Sequence, residues 1–331
     1  MHNFAFTLID RKDVFRMTRH ESANEGFYDY LTYPREFITY RWFKPLLVLV
    51  LTTLFAYVGT FACITLSTAL AGNNTLIENV MSGHYYDSID TYTPAGVILT
   101  LGSVAVILPA LAIATRIVRD RPFSSYSTSR GGWKWPLFFK VFGVALVVYA
   151  VYLLINFALD PNQGSGVNQF TVAGAILCAI LLPLQCMAEE YAFRGLIAQM
   201  VGSWFKVPVL GILVSSALFA AMHPYNVLGV LSTFATGVFF SLLAWRTGGL
   251  EASSAVHVVN NSIAFGLTGI GLTTITTDVT VASFITDIAV QAVILGAVLY
   301  LGKKYNWFKP VGDDVTPYNE AARHRLAEKQ Q

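Results

Sequence analysis

The sequence predicts an all-α, polytopic membrane protein with about eight transmembrane helices. Three observations carry that expectation. Only 13% of the 331 residues are charged and 54% are hydrophobic, whereas a soluble domain carries about a quarter charged residues. Apolar runs lie at 45–71, 95–118, 137–159, 169–188, 208–223, 226–245, 252–271 and 283–302, most of them near the ~20 residues a helix needs to cross a bilayer. With that number of spans, every Lys and Arg falls on one side, which the positive-inside rule makes cytoplasmic.

In chain order, residues 1–44 read as a polar arm with aromatics and mixed charges. It lacks the apolar stretch of a signal peptide, so no cleavable leader is expected. The connection 73–94 after the first run has no Lys or Arg and contains Glu78, Asp87 and Asp90. The connections 160–168, 224–225 and 272–282 are equally free of basic residues. The other side receives the basic residues of the arm, from Arg11 to Lys44, then Arg116, Arg119, Arg121, Arg130, Lys134 and Lys140. Arg194, Lys206, Arg246, Lys303, Lys304 and Lys309 follow on that same side. The stretch from Arg121 to Pro136 reads as a cytoplasmic loop with tryptophans as interfacial anchors. The tail is charged and helical near its end, from Glu320 to Lys329.

The expected organisation is therefore a cytoplasmic arm 1–44, a membrane domain 45–302 with its core at 165–275, and a cytoplasmic tail 303–331. The expected location is the plasma (inner) membrane, multi-pass, with both termini cytoplasmic. The net charge of +2 gives no reason to expect nucleic acid. The lipid bilayer is the partner the composition demands, and no feature encodes an oligomeric state. Cys63, Cys178 and Cys186 fall in apolar runs without zinc-type spacing and read as reduced packing residues.

Against this background, several ionisable groups stand where lipid should reject them. Such a side chain at bilayer depth costs roughly 2.5–3.5 kcal/mol even on the lenient insertion scale. After the fourth run come Glu189-Glu190-Tyr191-Ala192-Phe193-Arg194. Glu190 and Arg194 are four residues apart and can pair along one face. Glu189 stands about 100° around the helix and can address a second helix. The bland reading is that these residues mark a helix end and snorkel to water; it suits Arg194 alone better than the two glutamates. Phe219 and His223 share a face of the fifth helix, where His223 before Pro224 would usually be a cap. His257 and Asn261 share a face of the seventh, with Asn260 beside them, and such pairs often merely join helices. Together, Glu, His, His and Asn converging from three helices are the parts of a hydrolytic site. Asp287, near the outer end of the last helix where Ser283 and Thr286 suggest an N-terminal turn, and Asn156, with an ordinary interfacial reading near the outer end of the third, stay outside it. One tension remains at this level. A full-length fifth helix would carry His223 to the outer face, away from Glu189 and His257. Convergence needs either a fifth helix that stops partway at Pro224 or a motif deeper in the fourth, and the sequence does not choose.

Glu-Glu-x-x-x-Arg at 189–194, Phe-x-x-x-His at 219–223 and His-x-x-x-Asn at 257–261, in that order on successive helices, closely resemble the CPBP (Abi) family. Its members are CAAX-protease-like and bacteriocin-processing intramembrane endopeptidases, and include the eukaryotic enzyme that trims prenylated proteins. The resemblance covers about 165–275 and implies a catalytic core of helices four to seven. It implies that Glu189 and His223 activate a water and that His257 and Asn261 bind the oxyanion. Glu190 and Arg194 would hold the site together, with Phe219 in support. The implied substrate is a membrane-associated peptide or protein, and nothing points to prenylated substrates specifically. Members are commonly labelled metalloproteases, and Glu189, His223 and His257 would be the ligands of a zinc ion with an open water position. The favoured expectation is that no cofactor is required, with Zn2+ as the alternative. There is no His-Glu-x-x-His, and the residue that would ligate zinc is the one needed as base. Family function varies more than family fold. A non-catalytic scaffold or bacteriocin-immunity-type protein that binds a peptide in the same cavity is one rival. A proton-relaying transporter is another, against which the lack of repeats counts.

Overall fold

Apolar runs in lipid become helices because each backbone N–H and C=O must find its partner within the segment. In the computed structural model, which describes residues 28–72, 82, 90–160, 164, 166–274 and 278–328, every predicted run does so. Residues 1–27 of the arm, with Glu78 and Asp87, lie outside the described residues. The membrane helices are α1 (Lys44–Ala71), α2 (Pro94–Val118), α3 (Trp135–Leu159) and α4 (Val172–Phe205). They continue with α5 (Pro208–Ala221), α6 (Val227–Thr247), α7 (Glu251–Gly269) and α8 (Val281–Lys304), and α9 (Val315–Glu328) closes the chain. Among the described residues the only β-type pairing is an isolated bridge between Thr128 and Gly249.

Six of these helices, α1, α2, α3, α4, α6 and α8, are long and apolar enough to cross a membrane. The chain is a multi-pass membrane protein, and its surface follows the same logic. Val58, Phe61 and Leu154 point outward at 70, 65 and 72% exposure, while Glu190 and Arg194 are fully buried. Two expected spans depart from the norm. α5 has only 14 residues, about 21 Å of helix against a hydrocarbon core of about 30 Å. α7 is long enough, but Glu251, Ser253, Ser254, His257, Asn260 and Asn261 dilute its apolar character.

Three features go beyond what the sequence conveys. The fourth helix does not end near the Glu-Glu motif: it runs on to Phe205, through widened π-helical turns at Tyr191–Ala198. It spans 34 residues, about 51 Å, so the motif sits near its middle. The segment 119–134 is not a simple solvated loop. Arg121, Tyr126 and Arg130 are buried beneath the bundle, with Ser129 N–H donating to the Gly248 carbonyl and Leu250 N–H to that of Ser127. The strap lies so close to α4 that a Cβ on Gly195 would meet the Tyr126 carbonyl oxygen at 2.6 Å. Finally, the described part of the arm is folded. Tyr30 donates to the Tyr126 carbonyl at 2.7 Å, and Tyr33 and Phe37 form a small core with Val315 of α9. The Asn319 carboxamide fastens this contact, donating to the Glu36 carbonyl and accepting from Ile38 N–H. Arm and tail thus meet at one end of the bundle, as an even number of spans requires.

Candidate active site

Both features that would draw His223 toward the Glu-Glu motif are present. α5 stops at Ala221, short of a full span, and the motif lies deep within α4. His223 follows the helix end, where its Nδ1 lies 2.8 Å from the Phe219 carbonyl oxygen. A carbonyl can only accept, so Nδ1 carries the proton, and a neutral His223 presents Nε2 as an acceptor. The same contact is the cap expected of a histidine at this position, so the bland and functional readings coincide.

Glu190 and Arg194 form a buried pair at 3.0 Å, with zero exposure on both side chains. Arg194 also donates to the Gly237 carbonyl at 3.2 Å, and its guanidinium lies 4.5 Å from the Phe219 ring centroid and 5.4 Å from that of Phe240. Gly237 also lets α5 pack closely against α6, because a Cβ there would collide with Ser216 of α5 at 2.9 Å. The arginine is a packed internal strut and does not snorkel.

His257 stands between the two glutamates. Its Nδ1 is 3.0 Å from Glu190 Oε1 and its Nε2 is 3.3 Å from Glu189 Oε2. Asn261 Nδ2 lies 3.2 Å from the same Nε2. A hydrogen-bond relay orients that carboxamide. Tyr149 donates to Asn260 Oδ1 at 2.6 Å, Asn260 Nδ2 donates to Asn261 Oδ1 at 2.9 Å, and Asn261 Nδ2 is left to face the imidazole and Gln185. Nε2 therefore has two alternative partners. A neutral ring, protonated on Nδ1 toward Glu190, accepts from Asn261; a doubly protonated ring donates to Glu189.

His223, His257 and Asn261 line one cavity of about 300 Å³, with Phe219 in its wall. Glu189 approaches from the α4 side, its side chain 14% exposed. Glu189 pairs with His257, and among the described residues no ion pair joins it to His223. No group of three His, Cys, Asp or Glu side chains among the described residues is placed to hold a metal ion. The set Glu189, His223 and His257 is therefore not preassembled as a zinc cage. The three cysteines are free.

Several residues join the site unannounced. Gln185 stands one turn before Glu189 on the same face, and that spacing was a readable signal. Tyr149 of α3 had none. Asp287, which the sequence reading left outside, lines the cavity with Gln291. α8 begins at Val281, capped by Thr280 and Ser283, so Asp287 is already in the second turn, facing inward. Below the site, Arg130 pairs with Glu251 at 2.6 Å, both fully buried, and tethers the strap to the start of α7. Burial pulls the Arg130 guanidinium below its ordinary value, and the Glu251 carboxylate opposes the shift.

With this geometry in place, comparison with known proteins becomes informative. Residues 168–263 match the family described as type II CAAX prenyl endopeptidase Rce1-like. The matched interval contains all three motifs and ends before Asp287, and it bears out the resemblance to this group of proteases. The chain is also 28% identical over 166 residues to the protein of Bacillus subtilis (strain 168) named uncharacterized protein YyaK, covering 46% of this chain and 55% of that protein. The chain thus spans about half the length of the curated relative it matches. No solved structure matches.

Proposed function

We propose that this protein is an intramembrane endopeptidase that hydrolyses a peptide bond of a membrane-associated polypeptide. The observation that carries the reading is His257 held between Glu189 and Glu190, beside Asn261, on the wall of a cavity shared with His223. A water between Glu189 and His223 is the nucleophile. Glu189 takes its proton as the oxygen attacks the carbonyl carbon. The oxyanion that forms is met by His257 Nε2–H and Asn261 Nδ2–H, each such donor being worth about 3 kcal/mol. The proton held by Glu189 then passes to the leaving amide nitrogen as the C–N bond breaks.

For His257 to donate from Nε2, the ring must carry both protons, with Nδ1–H retained by Glu190. In that state the buried group of Glu189, Glu190, Arg194 and His257 is neutral overall, with two negative and two positive charges. Neutrality suits a low-dielectric interior, where an uncompensated ion is heavily penalised. Activation of water by Glu189 and His223 needs no metal on this reading.

The segregation of Lys and Arg orients the molecule with the arm and α9 in the cytoplasm. The cavity is rimmed by Tyr225 and Val279, in the connections at the opposite end of the bundle, so the substrate approaches from the non-cytoplasmic side of the inner membrane. The deciding experiment compares membrane-protein N-termini in cells carrying wild-type protein or Glu189→Gln. Termini present only with the wild type, and reproduced by purified protein, are the expected result. Identical termini in both would favour a peptide-binding scaffold.

A further inference from the structure

Part of the cavity wall is built from α6 and α8, and α8 lies beyond the stretch matched by the protease family. Ser232 and Thr236 stand one turn apart on α6, and Asp287 and Gln291 one turn apart on α8; all four line the cavity. Ser232 donates to Asp287 Oδ2 at 3.0 Å. Thr236 spends its hydroxyl proton on the Ser232 carbonyl at 2.9 Å, so toward Gln291 it can only accept. The group 2.7 Å away must therefore be the Gln291 amide nitrogen. This fixes the carboxamide, and Gln291 Oε1 is left buried without a partner on a residue only 8% exposed. The two hydroxyl protons of the cluster are spent within it and one amide proton of Gln291 goes to Thr236, while a carboxylate and a carboxamide oxygen remain one turn apart. No Lys or Arg among the described residues lines the cavity to answer them. An intramembrane carboxylate without a basic neighbour typically marks a ligand path.

We infer that Asp287 and Gln291 form a subsite for a cationic side chain, lysine or arginine, of the polypeptide bound in this cavity. The inference rests on the endopeptidase reading for the identity of the ligand as a peptide. Two acceptors one turn apart suit a multi-donor head group. The rings of Tyr149, Tyr152 and Phe240 in the remaining wall suit the apolar stem that carries it. A lysine seated there would share the cavity with His257 and Asn261 and so set the register of the scissile bond.

The test uses full-length protein in nanodiscs in the Glu189→Gln background, so that bound peptide is not consumed. The probes are fluorescent apolar peptides identical except for one position, lysine or norleucine, with that position moved along the peptide. At one position, lysine should bind about ten- to a hundredfold more tightly, the worth of a charge-assisted hydrogen bond. Asp287→Asn should abolish the advantage and Gln291→Leu should reduce it, so either variant suffices if the other folds poorly. Equal binding of the two peptides at every position would overturn the subsite, as would a lysine advantage that survives both substitutions. Cleavage by wild-type protein is scored separately. Asp287-dependent lysine binding without any cleavage would leave the subsite standing and sink the protease reading. Cleavage indifferent to lysine and to both substitutions would do the reverse.

Discussion

The buried pair of Glu190 and Arg194 allows a quantitative test of how the site is held. Arg194→Met removes the 3.0 Å ion pair and the bond to the Gly237 carbonyl while roughly filling the volume. Glu190 Oε2 already lacks a partner, so the carboxylate would keep only His257. Breaking one side of a buried pair costs about 3–5 kcal/mol, a large share of the ~5–15 kcal/mol that holds a typical protein folded. An exposed pair would lose only about 0–1 kcal/mol. Glu190→Gln should cost a similar amount, since it strands the guanidinium instead. The double variant leaves no unpaired charge and should be milder than the sum of the two by about 2–3 kcal/mol. Thermal unfolding in detergent, followed by tryptophan fluorescence for the four proteins, reads this as a drop of about 10 °C in each single variant and partial recovery in the double. A wild-type melting point for Arg194→Met, or strictly additive losses, would refute the internal strut and restore the snorkelling arginine.

The remaining predictions concern chemistry, topology and the strap. Glu189→Gln should abolish cleavage with folding and peptide capture intact, and Asn261→Ala should lose about 100-fold in rate by removing one oxyanion donor; near wild-type turnover by Glu189→Gln would end the catalytic assignment. In intact cells of a cysteine-free background, Leu272→Cys should react with an impermeant thiol reagent and Leu326→Cys should not. Both positions are exposed, at 45 and 54%, so the reverse pattern would invert the orientation. Gly195→Val should lose about 1–3 kcal/mol by overpacking, because its Cβ has no room against the Tyr126 carbonyl. An unchanged melting point there would mean the strap is not seated on α4.

Composition and pattern alone determined the class of this protein. A chain so poor in charge can fold only where lipid replaces water, and apolar runs of spanning length must then be helices, since lipid offers their backbones no other partner. The i,i+4 spacings of Glu190 with Arg194, Phe219 with His223, and His257 with Asn261 were legible for the same local reason, as helix geometry fixes which neighbours share a face. Other features were decided by packing between distant segments. The extension of α4 through π-helical turns to Phe205 was hidden because Glu189, Glu190 and Arg194 look like a helix end until buried partners neutralise them. The strap 119–134 read as a plain cytoplasmic loop because Arg121 and Arg130 find Gln199 and Glu251 only in three dimensions. Asp287 looked like part of a helix-starting turn because nothing on α8 itself shows that Ser232 of α6 faces it. Periodicity reports on one helix at a time; which polar faces meet across a cavity depends on how the helices are arranged around it.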